Sequence, residues 1–479
     1  MHHMIKAPRA VLETFEQRKK TESGYLQLRT RKGHFYVYRD TSRWDKQRKK
    51  PVKTTELLGA ISPDGAYTPK HPRKAYSTTR IYDYGDAELL LSLSRDLRDA
   101  AADMPHGDEL LALSIIRAID PGPIRLAQSV WDDTYASTKL SVDLSPRNIS
   151  EALTSIGYMV EETYDLFARL TPEGGMLFYD LTSVLSYSKY LRLAERGYNP
   201  GWERVGQVKV AMAFSTGTWL PVAVDVFYGS LKETKILRYF IERFPGAELG
   251  FVLDRGFKSY ELLRDLREDG IHYIAALMRN SKLLPSSAVM GGAFEYGEKR
   301  MIAFSKRRRA PYGFLYLYED PRLRESEEEH LLGKVSRGEM TMEEYRRERR
   351  MAGVFGIVSD LDVEPREVYV KYKEREEIEQ VFDYMRNDLE ADRSYLGRDE
   401  AVRGYFVVVF LAMRLYFKVL RRLRERGLVG KVSVREVLYE LSKMRMIVER
   451  SGREYLCALP KKTEQILEAF SDLIPMVQH

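Results

Sequence analysis

GMLFYDLTS, at residues 175–183, begins the run of strand and helix signals that decides the fold. Two more apolar segments follow, QVKVAMAFS at 207–215 and LPVAVDVFYG at 220–229, and each has the length of a buried strand. Helix and strand signals then alternate at residues 232–244, 250–254, 258–269 and 271–277. Three successive strands predict an antiparallel meander, and the helix-linked strands predict parallel additions. The sequence therefore predicts an α/β fold with a mixed five-stranded sheet and flanking helices.

Two aspartates are predicted at the ends of strands in this sheet. Asp180 follows the apolar part of the first strand, and Asp254 follows that of the fourth. Ligands of open α/β sheets bind at the carboxyl ends of strands, so adjacent strands would bring the two carboxylates together. Taken alone, an aspartate at such a position is more often a turn or cap residue. Their interpretation as a site depends on a third group elsewhere.

That third group lies in YKEREEIEQVFDYMR, at residues 372–386. If the segment is one helix, then Tyr372, Arg375, Glu379 and Arg386 fall on one stripe of its surface, because their spacings are three, four and seven residues. A carboxylate flanked by planar guanidinium groups is suited to holding a phosphodiester. The alternative is a solvated helix face with weak ion pairs.

Composition favours a polyanionic partner and excludes several classes of site. The 479 residues predict two to four domains, and 77 basic against 70 acidic residues give a net charge of +7. A single cysteine excludes a disulfide framework, and the eight histidines contain no convincing ligand pair. No glycine-rich phosphate loop occurs, so we expect no nucleotide cofactor.

The longest apolar run, YFVVVFLAM at 405–413, is too short to span a bilayer and predicts a buried helix. No charged-then-apolar leader begins the chain, and we expect a cytoplasmic, nucleoid-associated protein with no membrane partner.

The N-terminal part divides into two predicted regions. Residues 1–80 predict a β unit with a basic loop that contains Lys46, Arg48, Lys49 and Lys50, which either contacts DNA or is a solvated hairpin. Residues 81–170 predict a helical domain that either binds the end of a DNA element or serves only packing. Ser145 and Pro146 predict the start of one of its helices.

Residues 171–280 are predicted to form the first part of the core. A β-rich insertion is predicted to follow at 281–370. There Arg307, Arg308 and Arg309 neighbour Phe304, Tyr312, Phe314, Tyr316 and Tyr318. This set either binds a DNA strand and stacks a base, or is an ordinary aromatic core with a solvated turn. Residues 371–430 would complete the core, and the helical region 431–479 would serve dimerisation.

With these segments in order, the chain resembles the DDE transposases of bacterial and archaeal insertion sequences, specifically the family-four group. That group is marked by Tyr-x2-Arg-x3-Glu-x6-Lys, which corresponds here to Tyr372, Arg375, Glu379 and Arg386, with arginine in place of lysine. Its first and second aspartate motifs resemble YDLTS at 179–183 and DRGF at 254–257.

The resemblance implies an RNase H-like core interrupted by the insertion, and a catalytic triad of Asp180, Asp254 and Glu379. The triad would bind two Mg²⁺ ions, with Mn²⁺ as a substitute. Tyr372, Arg375 and Arg386 would hold DNA phosphates and take part in a hairpin intermediate.

The implied function is cut-and-paste transposition by an endonuclease that recombines DNA. It would nick the 3′ strand, form and open a hairpin at the element end, and join that end to target DNA. The implied partners are the terminal inverted repeats, target DNA and a second copy of the chain in a synaptic complex. A flipped base would stack on a Tyr or Phe between residues 294 and 318. The alternatives are an idle, domesticated DNA-binding descendant and another RNase H-like nuclease that depends on metal.

Overall fold

The computed structural model describes most of the chain. The described residues are 7–22, 24–31, 34–45, 50–70, 80–172, 174–196, 205–244, 249–255, 259–297, 299–375, 393–394 and 396–476. The chain divides into two compact units, and the smaller one comprises Met1–Arg80 with Glu449–Arg453. The larger unit comprises Ile81–Val448 and Glu454–His479.

The smaller unit is a four-stranded antiparallel sheet in chain order with one helix. Its elements are α1 (Arg9–Thr21), β1 (Tyr25–Arg31), β2 (His34–Asp45), β3 (Lys50–Ile61) and β4 (Tyr67–Pro69). Leu26 and Leu28 alternate along β1 and pack in one core with Val11 and Phe15 of α1. The predicted β unit is confirmed, whereas α1 was not predicted. Of the basic loop, residues 46–49 lie outside the described residues, as does the side chain of Lys50.

The larger unit is built around one mixed sheet. Its described strands are β6 (Gly175–Ser186), β7 (Gly206–Ser215), β8 (Pro221–Tyr228), β9 (Leu249–Leu253), β10 (Tyr273–Ala276), β11 (Gly292–Tyr296), β12 (Arg300–Arg309), β13 (Gly313–Glu319), β14 (Val354–Ser359) and β15 (Arg393–Ser394). The order along the sheet is β11-β12-β13-β14-β10-β9-β6-β7-β8, and β15 pairs with β6. The meander β6-β7-β8 is antiparallel, while β9 is parallel to both β6 and β10.

These pairings confirm the predicted mixed α/β architecture, but the sheet is larger than five strands. The five predicted strands, β6 to β10, are neighbours in it. The strands of residues 281–370 continue the same sheet, because β14 pairs antiparallel with β10 through Ala275 and Val358. Five strands were predicted because residues 292–319 and 354–359 were assigned to a sheet of their own.

Helices cover the sheet and form the N-terminal part of this unit. Those before the sheet are α2 (Gly85–Leu93), α3 (Arg95–Ala100), α4 (Gly107–Ile119), α5 (Ala127–Asp133), α6 (Pro146–Tyr158) and α7 (Val160–Leu170). Those within or after it are α8 (Glu233–Arg243), α9 (Tyr260–Glu268), α10 (Pro321–Ser336), α11 (Met342–Arg349), α12 (Pro365–Lys373) and α13 (Asp399–Glu425). The predicted Ser145-Pro146 start of α6 is confirmed.

Helix α13 is the central helix of the unit, and most of its residues are buried. Its Phe417 packs edge-on against Phe214 of β7, with ring centroids 5.0 Å apart. Helices α6 and α13 pack together at one glycine from each. A Cβ on Gly157 of α6 would lie 1.8 Å from the carbonyl oxygen of Glu400 in α13. A Cβ on Gly404 of α13 would lie 2.0 Å from the carbonyl oxygen of Leu153 in α6. Only glycine permits so close an approach of the two backbones.

The C-terminal part adds α14 (Val434–Leu441), β16 (Arg445–Val448), β17 (Glu454–Leu456) and α15 (Lys461–Glu468). Strands β17 and β16 form a three-stranded sheet with β5 (Arg80–Asp83). Among the described residues, no helix combines the length and the apolar character that crossing a bilayer requires.

Candidate active site

Asp180 and Asp254 lie at the same level of the central sheet. The parallel pairing of β6 with β9 ends at Phe178 and Val252, and Asp180 and Asp254 each lie two residues beyond that pair. The charge of Asp254 acts on Asp180. Asp254 directly follows β9, as predicted. Asp180, however, does not end its strand, because β6 continues to Ser186 while remaining paired with β7. The prediction of a strand end at Asp180 was therefore wrong.

The long β6 creates a gap beside Asp180. Strand β9 pairs with β6 as far as Phe178, and β15 pairs with the same strand from Leu185. Within the described residues, no strand pairs with that side of β6 at residues 179–184, which we call the Asp180 notch. The notch opens where the parallel strand β9 ends, which is where open α/β sheets bind ligands.

The charge of Asp180 is disfavoured in this position. Burial, together with the negative charge of Asp254, raises the pKa of its carboxyl to about 6. Two contacts act in the opposite direction: the backbone N–H of Leu181 donates a hydrogen bond of 2.8 Å to Asp180 Oδ1, and Arg375 contributes a positive charge. A buried carboxyl whose pKa is raised in part by a neighbouring carboxylate is typical of sites that bind a cation.

A group of cationic and phenolic side chains lies beside the two carboxylates. Arg375 Nη1 is 3.2 Å from Asp254 Oδ1, and its guanidinium carbon lies 5.7 Å from the centre of the Tyr372 ring. Tyr372 is buried, and the positive charges of Arg375 and Arg255 lie near its hydroxyl. Burial raises the pKa of Tyr372, so the phenol is neutral at physiological pH.

The helix predicted over residues 372–386 is interrupted near its start. Helix α12 ends at Lys373, and Arg375 lies in a turn in which its N–H donates to the Tyr372 carbonyl at 3.2 Å. Tyr372 and Arg375 therefore meet through a turn and not along one helix, which corrects the prediction. Glu379 and Arg386 lie outside the described residues.

The structure thus brings together four of the predicted site residues, namely Asp180, Asp254, Tyr372 and Arg375. It adds two that the sequence interpretation did not include. Arg255 follows Asp254 directly, and its position next to a predicted site residue could have identified it from the sequence. Glu233, in the first turn of α8, contributes negative charge to Asp180, and nothing in its local sequence distinguishes it from an ordinary helix start.

The basic residues of the insertion lie on β12. Arg307 and Arg308 are exposed, whereas Arg309 is half-buried. Two of the neighbouring aromatics are unsuited to stacking, because Tyr316 and Tyr318 are fully buried. Their hydroxyls donate to the carbonyls of Leu361 and Pro365 at 2.7 Å, so both serve as core residues, contrary to the stacking interpretation.

Two half-buried aromatics of the insertion do border open space. Phe294 and Phe304 line a cavity of about 850 Å³ together with Pro365, Arg366 and Val370 of α12. The two rings lie 5.9 Å apart between centroids and are tilted by 33°.

The carboxylates suit a hard divalent cation. Asp180 and Asp254 supply oxygen donors, and a cation would relieve the repulsion that raises the pKa of Asp180. Among the described residues, no group of three His, Cys, Asp or Glu side chains is gathered as a metal site. The pair therefore fits a metal centre that a further carboxylate would complete.

Comparisons with known proteins agree with this chemistry. Residues 177–415 match the family model described as "Transposase DDE domain". No curated protein matches the chain. Among solved structures, the chain is similar to a piggyBac transposase in a synaptic complex with hairpin DNA, at 12% identity and a TM-score of 0.39, over 81% of this chain and 83% of that one.

Proposed function

We propose that the chain, whose residues 177–415 match a transposase DDE domain, is a DDE transposase that moves an insertion sequence by cut-and-paste transposition. In this proposal it nicks the 3′ strand at the element end, forms and opens a hairpin there, and joins the end to target DNA. Nuclease and transesterification chemistry on phosphodiesters is the activity that this family implies.

The observation that supports the proposal most is that Asp180 and Asp254 each lie two residues beyond the last parallel pair of β6 and β9, with the charge of Asp254 acting on Asp180. The raised pKa of Asp180 and the nearby guanidinium of Arg375 support a site for a cation and a phosphate together. We assign Asp180, Asp254 and Glu379 as the catalytic residues.

We further propose that these three carboxylates hold two Mg²⁺ ions, for which Mn²⁺ substitutes. When bound, such ions supply an activated water or hydroxyl and stabilise the leaving oxygen of a phosphodiester. Asp180 would ligate both ions, Asp254 one of them and Glu379 the other. Asp180 must lose its proton to act, so its pKa of about 6 keeps it largely competent at neutral pH.

The basic side chains beside the carboxylates would hold the DNA. Arg375 and Arg386 would bind phosphates through their planar donors, and Tyr372 would donate a hydrogen bond to one of them. Arg255 adds positive charge near the Tyr372 hydroxyl, which also favours a phosphate there. These groups orient the strand for in-line attack and are associated with the hairpin step.

The proposed partner is duplex DNA, at the terminal inverted repeats and at the target. A net charge of +7 favours such a polyanion. Residues 1–80 and 81–170 would bind the element end, with Lys46, Arg48, Lys49 and Lys50 as contacts. Arg307, Arg308 and Arg309 of the insertion at 281–370 would contact DNA, and Phe294 or Phe304, which line the cavity, would stack a flipped base.

The two parts of the catalytic core would be residues 171–280 and 371–430. Residues 431–479 would support a homodimer, because both element ends must be held together before joining.

The test compares the wild-type protein with Glu379→Gln on DNA that contains the element end and its flank, with Mg²⁺, on a denaturing gel. Products of hairpin size that need Glu379 are expected. The matched control is Glu151→Gln, which removes the charge of an exposed glutamate on α6.

Three outcomes separate the alternatives. Hairpin products that persist in Glu379→Gln would contradict the triad. Binding of end DNA without Glu379-dependent cleavage would favour an idle descendant. Nicks without hairpins would favour another nuclease on the same fold.

A further inference from the structure

The loop that follows β6 presents an exposed tyrosine next to basic side chains. We call residues 187–196, YSKYLRLAER, the Tyr190 loop. The side chain of Tyr190 is 85% exposed, which is more than for any other large apolar or aromatic residue in the described part of the chain. Arg192 is 80% exposed along its side chain. A tyrosine beside cationic side chains can pack on a sugar while its neighbours pair with phosphates.

The loop is held firmly at both sides of Tyr190 and Arg192. Leu191 and Leu193 alternate with them and are buried in the main core. Asp399, at the start of α13, accepts hydrogen bonds from the Leu193 N–H at 3.0 Å and from Arg192 Nε at 3.2 Å. The exposed side chains are thus presented from a fixed backbone, and ordering them on a ligand costs little conformational entropy.

The far end of the loop is fixed to the last two strands of the meander, β7 and β8. Glu195 exchanges backbone hydrogen bonds of 3.0 and 3.1 Å with Gln207, at the start of β7. The N–H of Gly229, just after β8, donates to the Leu193 carbonyl at 3.1 Å. A Cβ on Gly229 would lie 2.0 Å from the Gln207 carbonyl oxygen, so this backbone contact requires glycine.

The charge of the loop favours an anion. It contains Lys189, Arg192 and Arg196 against one acid of its own, Glu195, while Asp399 of α13 pairs with Nε of Arg192 and leaves most of that side chain exposed. The Glu195 carboxylate accepts hydrogen bonds from Ser230, so part of its charge is directed away from the exposed face. The exposed Arg398, at the start of α13, adds another cation near the loop, since Gly397 lies next to Ser188.

The loop lies within reach of DNA bound at the notch. Six residues of β6 separate Asp180 from Ser186, which at roughly 3.3 Å each is about 20 Å. Duplex DNA rises roughly 3.4 Å per base pair, so this length corresponds to about six base pairs.

We propose that the Tyr190 loop binds the sugar-phosphate backbone of duplex DNA within about six base pairs of the phosphate held at Asp180. This inference rests on the proposed function, because it needs a duplex at the notch. Lys189 and Arg192 pair with phosphates, while the Tyr190 ring packs on a deoxyribose and its hydroxyl donates to a phosphate oxygen. The contact does not read sequence, so a duplex of any sequence tests it.

The test measures binding of a fluorescein-labelled, 30-base-pair duplex of arbitrary sequence by anisotropy, in EDTA to prevent cleavage and over a series of NaCl concentrations. We expect Tyr190→Ala to raise the Kd roughly three- to tenfold and Lys189→Ala to lower the salt slope by roughly 0.9. The matched control is Tyr158→Ala, which removes a tyrosine that is 68% exposed at the end of α6. Thermal melting checks that each variant is folded.

The outcomes distinguish this inference from the function on which it rests. If the wild-type protein binds the duplex and Tyr190→Ala binds as well as Tyr158→Ala does, the loop contact is overturned and the proposed function stands. If the wild-type protein does not bind the duplex, both are overturned. A photo-cross-linking amino acid in place of Tyr190 gives a second measurement: cross-links to the duplex support the contact, and cross-links only to a single-stranded 30-mer overturn its assignment to duplex DNA.

Discussion

Arg375 Nη1 lies 3.2 Å from Asp254 Oδ1, so one of the proposed metal ligands is paired with a side chain of the protein itself. The guanidinium also lowers the pKa of Asp180. Arg375 thus neutralises part of the charge that a divalent ion would otherwise neutralise. Metal binding and DNA binding are linked through this one side chain, because a phosphate that attracts Arg375 would release Asp254 for the ion.

Removing this guanidinium should strengthen metal binding in the absence of DNA. We expect Arg375→Gln to bind Mn²⁺ about three- to tenfold more tightly than the wild type, because a positive charge next to a ligand opposes a cation. Electron paramagnetic resonance of free Mn²⁺ measures this without reference to activity. The control is Arg264→Gln on α9, whose guanidinium pairs with Asp265 instead. Weaker binding by Arg375→Gln would mean that the arginine orients Asp254 for the metal.

The contact between α6 and α13 should not tolerate a side chain. Gly404→Ala would bring a Cβ to 2.0 Å from the Leu153 carbonyl oxygen, and we expect a loss of about 2–4 kcal/mol in the free energy of unfolding. Urea denaturation measures it. Gly333→Ala in α10 is the control, because its Cβ would meet only the end of the Arg337 side chain at 3.3 Å. That change should stabilise the protein by up to about 1 kcal/mol. Equal effects would contradict the packing argument.

The buried Asp86 should make stability depend on pH. Burial raises its pKa from 3.8 to about 6, so the folded state binds this proton more tightly than the unfolded state does. The contribution of Asp86 to the free energy of unfolding therefore falls as pH rises from about 4 to about 6, by about 3 kcal/mol in all. Asp86→Asn should be more stable than the wild type at pH 7.5, with a difference that shrinks towards pH 4.

Thermal melting across that pH range measures this difference. Asp103→Asn, at a carboxylate that is 83% exposed, should follow the wild type throughout. A difference for Asp86→Asn that grows towards acid would contradict the direction of the pKa shift.

Asp225 of β8 should be the most sensitive polar position of the core. Its carboxylate accepts hydrogen bonds from Tyr164 Oη at 2.8 Å and from Nη1 of both Arg243 and Arg403 at 3.0 Å. Asp225→Asn should lower the free energy of unfolding by about 2–4 kcal/mol, since it leaves two guanidinium groups without their counter-charge. Tyr164→Phe, which removes one neutral donor, should cost only about 1 kcal/mol. Similar losses in urea denaturation would show that charge is not the main contribution.

The core strands and the pairing of the two aspartates could be predicted because both follow from local pattern. Segments such as 207–215 are apolar over the length of a strand, and the parallel connection through α8 fixes β9 beside β6. The continuation of β6 to Ser186 could not be predicted, because LTSVLS at 181–186 is only half apolar. Its pairing with β7 is what keeps these residues in the strand. Strand pairing is set by partners that a local window does not contain.

The helices show the same limit. Helix α10 has only Leu331 buried and is charged around its surface, so no apolar stripe indicated it. Residues 373–376 read KERE and contain no helix-breaking residue, yet α12 ends at Lys373. The contact of Arg375 with Asp254 lies at this turn, and a tertiary contact of this kind overrides helix propensity.

The pairing of β10 with β14 has a consequence for how the protein avoids joining other copies of itself. Without β14, the four residues of β10 would be the open border of the core sheet, with backbone groups ready to accept a foreign strand. The inserted segment shields that border, and a shortened chain that lacked residues 281–370 would be prone to aggregate through it. Loss of the insertion would therefore appear first as poor recovery of folded protein, before any effect on chemistry could be assayed.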